Sequence, residues 1–217
     1  MLKNDLSFYD GMYVGVAGNI GVGKSTLSEL ISSQLGFKLA EESVIDNPYL
    51  DDFYADTKRW AFETQIYFVV DRLKKLEEYL SLGNIVLDRT IYEDRYIFAQ
   101  QMFNAGSFDK RAFETYKKYY DFATKDVPQP DLLIYARAGV KKLKRNIRGR
   151  GRENERELYA SGNSYIAQLN ALYDSWISSY KGPLQVFDFN NLDVKKNEAD
   201  RIFVIDTIKE KLGIAHP

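Results

Sequence analysis

Cysteine is absent from the 217-residue chain, which excludes disulfides, thiolate metal centres and cysteine nucleophiles, and suits a reducing compartment. Histidine is almost absent too: the one copy, His216, is the penultimate residue, where a loose tail is the ordinary expectation, so general-base chemistry falls to a carboxylate. Charge of one sign is not in excess, with 30 Lys and Arg against 31 Asp and Glu, so nothing drives the whole molecule toward nucleic acid or an anionic membrane, and any positive site must be local. No run approaches eighteen apolar residues, and the first ten, with Lys3, Asn4 and Asp5, have no long apolar core. A soluble, untargeted, cytoplasmic protein is expected. Repeats, low-complexity tracts and linkers are also missing, and 217 residues suit one α/β domain better than two.

What is present starts with Gly18-Asn19-Ile20-Gly21-Val22-Gly23-Lys24-Ser25-Thr26, directly behind the apolar run Met12 to Ala17. Gly, four residues, Gly, Lys and Ser, between a strand and a helix, is the pattern of a phosphate-binding loop. Its glycines let successive N–H groups turn inward, and the helix N-terminus adds its positive dipole end. Lys24 is then placed to reach the β- and γ-phosphates of a nucleoside triphosphate, and Ser25 to ligate Mg²⁺.

Periodicity predicts a helix from Lys24 to Leu35, stopped at Gly36, and a short strand at residues 37–40 leading to Glu41 and Glu42. A single long helix is expected from Tyr54 to Leu80, with Phe62, Ile66, Val69, Leu73, Leu76 and Leu80 on one face. A buried strand at 84–87 ends at Asp88. Two helical patterns follow, around Tyr96 to Phe103 and over Phe113, Tyr116, Tyr120 and Ala123. Strands are expected at 131–135 and 184–189. Between and after them lie a basic helix at 141–152, a helix carrying Tyr165 to Ile177, and a last helix carrying Ile202 to Leu212. Five apolar strands alternating with helices imply a parallel sheet covered on both faces, with ligands beyond the carboxyl ends of the strands, where Gly18, Glu42 and Asp88 fall.

Three constellations carry chemistry. Asp88, at a strand end, is either a capping residue or a carboxylate for Mg²⁺; the loop upstream favours the metal. Arg89 suits an anion or hydroxyl on an acceptor, and Glu42 at the same sheet edge can take a proton from a hydroxyl. The second is the basic run Lys141, Lys142, Lys144, Arg145, Arg148, Arg150 and Arg152. It reads as a solvated helix face, a nucleic-acid patch, or a lid over about 145–157. Gly149 and Gly151, and the acidic Glu153, Glu155 and Glu157 that follow at once, favour the lid. The third is Gln65 with Arg72, seven residues apart on a helix and hence nearly on one face, with Phe68 between them. They are surface polar residues or a wall that reads a ring.

The chain resembles the deoxyribonucleoside kinases, from the loop to the lid, over about residues 13–180. The resemblance is carried most specifically by Tyr54, Arg59-Trp60, Gln65 and Arg72, and by the segment Asp88-Arg89-Thr90-Ile91-Tyr92-Glu93-Asp94-Arg95-Tyr96-Ile97-Phe98-Ala99. Asn47-Pro48-Tyr49-Leu50 looks more like the small bacterial members than the animal ones, and Thr90 stands where the motif usually has Ser. The resemblance implies a phosphate-loop kinase fold with an arginine-rich lid and a homodimer. Glu42 is implied as general base for the sugar 5′-hydroxyl, and Arg89 as the residue that positions base and 5′ oxygen. Tyr54 and Glu155 become ligands of the 3′-hydroxyl; Gln65, Arg72 and Asp94 become base readers, with Phe98 near the ring. Arg148, Arg150 and Arg152 become lid arginines.

Gln65 both donates and accepts, Arg72 only donates and Asp94 only accepts, so the set suits a base with an exocyclic amine beside a ring acceptor. Deoxyadenosine, deoxycytidine or deoxyguanosine is therefore expected as substrate rather than thymidine, with ATP or another NTP as donor. A nucleoside monophosphate kinase of the thymidylate kinase kind and a non-catalytic nucleotide-binding subunit are the alternatives. Neither nucleic acid nor membrane is expected as a partner. The stripe from Phe62 to Leu80 and the tyrosines from Tyr116 to Tyr120 suit a dimer face or core packing equally.

Overall fold

Five short segments rich in β-branched, leucine and tyrosine side chains form a wholly parallel sheet in the computed structural model, which describes residues 9, 11–41, 47–151 and 164–215. In chain order the elements are β1 (Tyr13–Gly18), α1 (Lys24–Leu35), β2 (Lys38–Ala40), α2 (Leu50–Ala55), α3 (Thr57–Leu80), β3 (Ile85–Asp88), α4 (Ile91–Glu93), a π-helical segment (Asp94–Ala99), α5 (Gln100–Asn104), α6 (Lys110–Ala123), β4 (Leu132–Arg137), α7 (Val140–Arg150), α8 (Ser164–Ser179), β5 (Leu184–Asp188) and α9 (Glu198–Leu212). The sheet order is β2-β3-β1-β4-β5, so β1 is central and the chain reverses direction of travel across the sheet beside it. A ligand crevice belongs at that point, outside the carboxyl end of β1.

Both faces of the sheet are covered, which is why its central strands are apolar at nearly every position rather than at alternate ones. Val14, Val16, Val86, Leu132 and Ile134 pack with Leu27 and Ile31 of α1 and with Val204, Ile205 and Ile208 of α9. Ala17, Leu133 and Tyr135 pack with Leu169, Tyr173 and Trp176 of α8. Tyr13, Ile85 and Leu87 meet Leu76 and Leu80 of α3. The register pairs Val16 with Asp88 and Gly18 with Ala136, which sets the end of β3 beside the start of the phosphate loop.

One glycine inside β1 marks a close approach. A Cβ on Gly15 would lie 2.6 Å from Cγ2 of Thr90, in the segment that leaves β3. Gly15→Ala is expected to destabilise the fold by about 1–3 kcal/mol through overpacking, read from urea unfolding at constant slope. Unchanged stability would mean that Thr90 yields without strain.

Three expected elements are corrected. The single helix from Tyr54 to Leu80 is two: Asp56 leaves helical geometry, and its carboxylate caps α3 by accepting the Arg59 N–H at 3.1 Å. Tyr54 therefore rides on α2, ahead of the break. The pattern around Tyr96 to Phe103 begins earlier, at Ile91, and is wound as a π-helix over Asp94–Ala99. The basic helix ends at Arg150, with Gly149 inside it; only Gly151, at φ 64°, takes the left-handed turn that closes it. Much of the stripe on α3 and of the tyrosines of α6 packs within the chain. Ala61, Val69, Phe113, Tyr116 and Tyr120 form one buried cluster, with Phe62, Ile66 and Leu73 against it. Among the described residues no helix is long and apolar enough to cross a membrane.

Candidate active site

The loop from Gly18 to Thr26 links β1 to α1, as the motif requires. Gly21 and Gly23 take φ of 84° and 105°, which a side chain would strain, and a Cβ on Gly21 would lie 2.8 Å from the carbonyl oxygen of Leu143 in α7. Side chains from two later helices hold the loop in shape. Asn19 is buried, accepts the Ile20 N–H at 2.7 Å, and donates to the Ile166 carbonyl at 2.9 Å and to Asn170 Oδ1 at 2.5 Å. Asn146 of α7 donates to the Gly21 carbonyl at 2.8 Å. Lys24 folds back along the loop and donates to the Gly18 carbonyl at 2.9 Å.

Ser25 Oγ donates to Asp88 Oδ2 at 2.5 Å, across 63 residues of sequence. The other oxygen, Asp88 Oδ1, is buried with no hydrogen-bond partner among the described residues. A hydroxyl and an under-used carboxylate are hard oxygen donors of the kind Mg²⁺ takes. Among the described residues no cluster of three or more acidic, histidine or cysteine side chains forms a metal cage, so a cation here would draw its remaining ligands from phosphate and water.

Arg89 follows Asp88 and is the one non-glycine residue with positive φ, 81°, among those described. A left-handed backbone costs about 1–2 kcal/mol for such a residue and persists where the surroundings over-determine it. Here they do. The Arg89 N–H is bonded to the Val16 carbonyl at 3.0 Å, and its guanidinium lies 4.6 Å from the centre of the Phe98 ring. A terminal nitrogen is 3.5 Å from both Glu93 Oε1 and the Tyr173 hydroxyl.

The structure also joins Arg72 of α3 to Asp94. Nε donates to Oδ2 at 2.6 Å and a terminal N–H to Oδ1 at 3.4 Å, with side chains 12% and 3% exposed. Tyr116 donates to the Asp94 carbonyl at 3.2 Å and so braces the start of the π-helical segment. Burial raises the Asp94 carboxyl above the usual Asp value, against the opposing pull of Arg72. Gln65 is buried on the same helix as Arg72, and among the described residues its Oε1 finds no hydrogen-bond donor. A buried acceptor left unmet suits a donor brought by a ligand.

The remaining expected residues stand as follows. Phe98 is half-buried beneath Arg89, and Tyr54 is exposed on α2. Arg148 and Arg150 are exposed on the last turn of α7, and Gly18 to Thr26 form the loop. Glu42, Arg152 and Glu155 lie outside the described residues. Two residues had no assigned role and sit at the centre: Glu93 and Tyr173. Thr90-x-x-Glu93 has the spacing of a helix capping box, which was a usable signal for Glu93. Tyr173 reads in sequence only as one of several apolar positions on α8.

The family model described as deoxynucleoside kinase matches residues 14–212. A deoxyadenosine/deoxycytidine kinase of Bacillus subtilis is 36% identical over 199 residues, covering 90% of each chain. A deoxyguanosine kinase of Lactobacillus acidophilus is 36% identical over 204 residues, covering 91% of this chain and 89% of its own. Among solved structures, a deoxyadenosine kinase from M. mycoides with bound products dCMP and dCDP superposes with a TM-score of 0.80 at 31% identity, over 92% of this chain and all of the other. The same enzyme with bound dATP gives 0.77 at 33% identity, over 93% and 99%.

Proposed function

The chain belongs to the deoxynucleoside kinase family, a phosphate-loop kinase that phosphorylates deoxynucleosides, and on that premise we propose that it uses deoxyadenosine, deoxycytidine or deoxyguanosine much better than thymidine. The buried Arg72–Asp94 pair carries this reading. With Gln65 Oε1, on the same helix as Arg72, as an acceptor, the three side chains ask for a base that both donates through an amine and accepts at a ring nitrogen. The names of the relatives described above, each for an adenine, cytosine or guanine deoxynucleoside, support it. They lend no support to a monophosphate kinase or a non-catalytic subunit.

In the proposed reaction the loop amides and Lys24 hold the donor triphosphate of ATP or another NTP. Lys24 turns from the Gly18 carbonyl to the phosphate oxygens. Ser25 and Asp88 would hold Mg²⁺, which, when bound, offsets phosphate charge. Glu42 accepts the proton of the 5′-hydroxyl as its oxygen bonds to the γ-phosphorus. The bond from that phosphorus to the bridging oxygen breaks, and the nucleoside diphosphate leaves. Arg89, with Arg148, Arg150 and Arg152, stabilises charge on the transferring group. Tyr54 and Glu155 hold the 3′-hydroxyl, and Phe98 packs near the base. A homodimer, Mg²⁺ dependence and a cytoplasmic place are expected from the family resemblance.

The test is kcat/KM for all four deoxynucleosides with ATP and Mg²⁺. Sites built on buried hydrogen-bonding groups reject mismatched partners by about 10⁴ or more, because the mismatch leaves a polar group unpaired. Thymidine is expected to be the poorest substrate by at least about 10² on this argument. A thymidine value equal to or above the others would overturn the base assignment and leave the kinase assignment standing.

A further inference from the structure

Glu93 is fully buried, with 0% of its surface exposed, and its two oxygens face different ways. Oε2 serves the helix start, accepting from the Thr90 N–H at 2.8 Å and the Thr90 hydroxyl at 3.3 Å. Capping needs no more than that, and capping carboxylates are ordinarily solvated. Oε1 is turned the other way, across the carboxyl edge of the sheet. There it lies 2.6 Å from the Tyr173 hydroxyl, 3.4 Å from the Gly18 N–H and 3.5 Å from the Arg89 guanidinium.

Tyr173 comes from α8, 80 residues further on. Its ring is stacked on Tyr135 of β4 at 5.7 Å and 14°, so core packing fixes where the hydroxyl points. That hydroxyl is 2.6 Å from Glu93 Oε1 and 2.9 Å from the Gly18 carbonyl, with one hydrogen to give to either. The Gly18 carbonyl is the same oxygen that receives Lys24. When Lys24 turns to the phosphates, Tyr173 remains as a donor beside that carbonyl.

We propose that Glu93 and Tyr173 are positioning residues of the phosphoryl transfer: they bind Arg89 and the first glycine of the phosphate loop into one hydrogen-bonded unit, so that donor and acceptor halves of the site share one register. The inference rests on the reading of Arg89 as the acceptor-side cation. It accounts for three observations together. A fully buried carboxylate is retained, its second oxygen is aimed away from the cap, and Arg89 keeps a left-handed backbone that its surroundings must enforce.

The experiment is a double-mutant cycle on kcat, measured on the full chain well below its unfolding midpoint. Tyr173→Phe keeps the stacked ring and removes the hydroxyl. It is expected to lower kcat by about 10- to 100-fold, as small misplacements of reacting groups do, with the deoxynucleoside KM changed by less than about threefold. In an Arg89→Lys background the same change is expected to cost less than about threefold, because both act through one guanidinium. A kcat for Tyr173→Phe within twofold of the parent, or full additivity with Arg89→Lys, overturns the proposal. If Tyr173→Phe does not fold, Glu93→Gln enters the same cycle with the same criteria. A parent chain inactive on all four deoxynucleosides would overturn the activity itself, whereas an active parent with an undisturbed Tyr173→Phe would overturn only the positioning role.

Discussion

Lys24→Ala is expected to give a folded chain whose kcat is lower by about 10²–10³ or more, the cost of removing one preorganised donor from a charge-stabilising site. Lys24 is 8% exposed and sits on the first turn of α1, with its ammonium held against the Gly18 carbonyl. The helix does not depend on it, since Leu27 and Ile31 anchor α1 in the core. The loss should fall on turnover because charge grows on the transferring phosphoryl group and its leaving oxygen. A cation is worth more there than against the resting triphosphate. The check pairs steady-state kinetics with circular dichroism and an unfolding curve. A well-folded Lys24→Ala with kcat within about tenfold of the parent would remove the residue from catalysis.

The second large effect is on stability. Arg72→Ala leaves the Asp94 carboxylate, 3% exposed, without its 2.6 Å partner. Removing one member of a buried pair typically destabilises by about 3–5 kcal/mol, since the remaining charge keeps its desolvation penalty and loses its compensation. Asp94 adapts in part by taking a proton, toward which burial already biases it. Replacing both partners by apolar residues of similar volume, Arg72→Met with Asp94→Leu, is expected to restore most of the lost stability and none of the base discrimination. Urea unfolding of parent, single and double variants, alongside the deoxynucleoside panel, separates the two. If the double variant keeps the substrate preference of the parent, the pair is structural only.

Much of this site is legible in the amino-acid sequence, and the reasons differ by residue. The loop was readable because nine consecutive residues carry its whole chemistry. The five strands were readable because double-sided burial makes short, unbroken apolar runs. Following such a run to its end also locates Asp88 at the carboxyl end of β3, with Arg89 next to it. The break at Asp56 was not readable, because hydrophobic period continues through it while the cap depends on one carboxylate meeting one N–H. The π-helical winding of Asp94–Ala99 was not, since its residues carry ordinary helical preference and nothing in their order marks the wider pitch that they adopt against α3, α6 and α8. Glu93 and Tyr173 are hidden for a related reason: each satisfies a local pattern, as cap and as core, that masks its second contact.

The phosphate loop is encoded locally, because such a cradle is built from backbone amides, a lysine and a hydroxyl that are neighbours in the chain. Which distant side chains meet was settled only by the folded structure. Ser25 with Asp88, Arg72 with Asp94, and Tyr173 with Glu93 are 63, 22 and 80 residues apart, and they meet only once the sheet order and register bring their elements to one edge. Hydrogen bonds and ion pairs act over a few ångströms in space, and separation along a chain does not encode that distance until the core has folded.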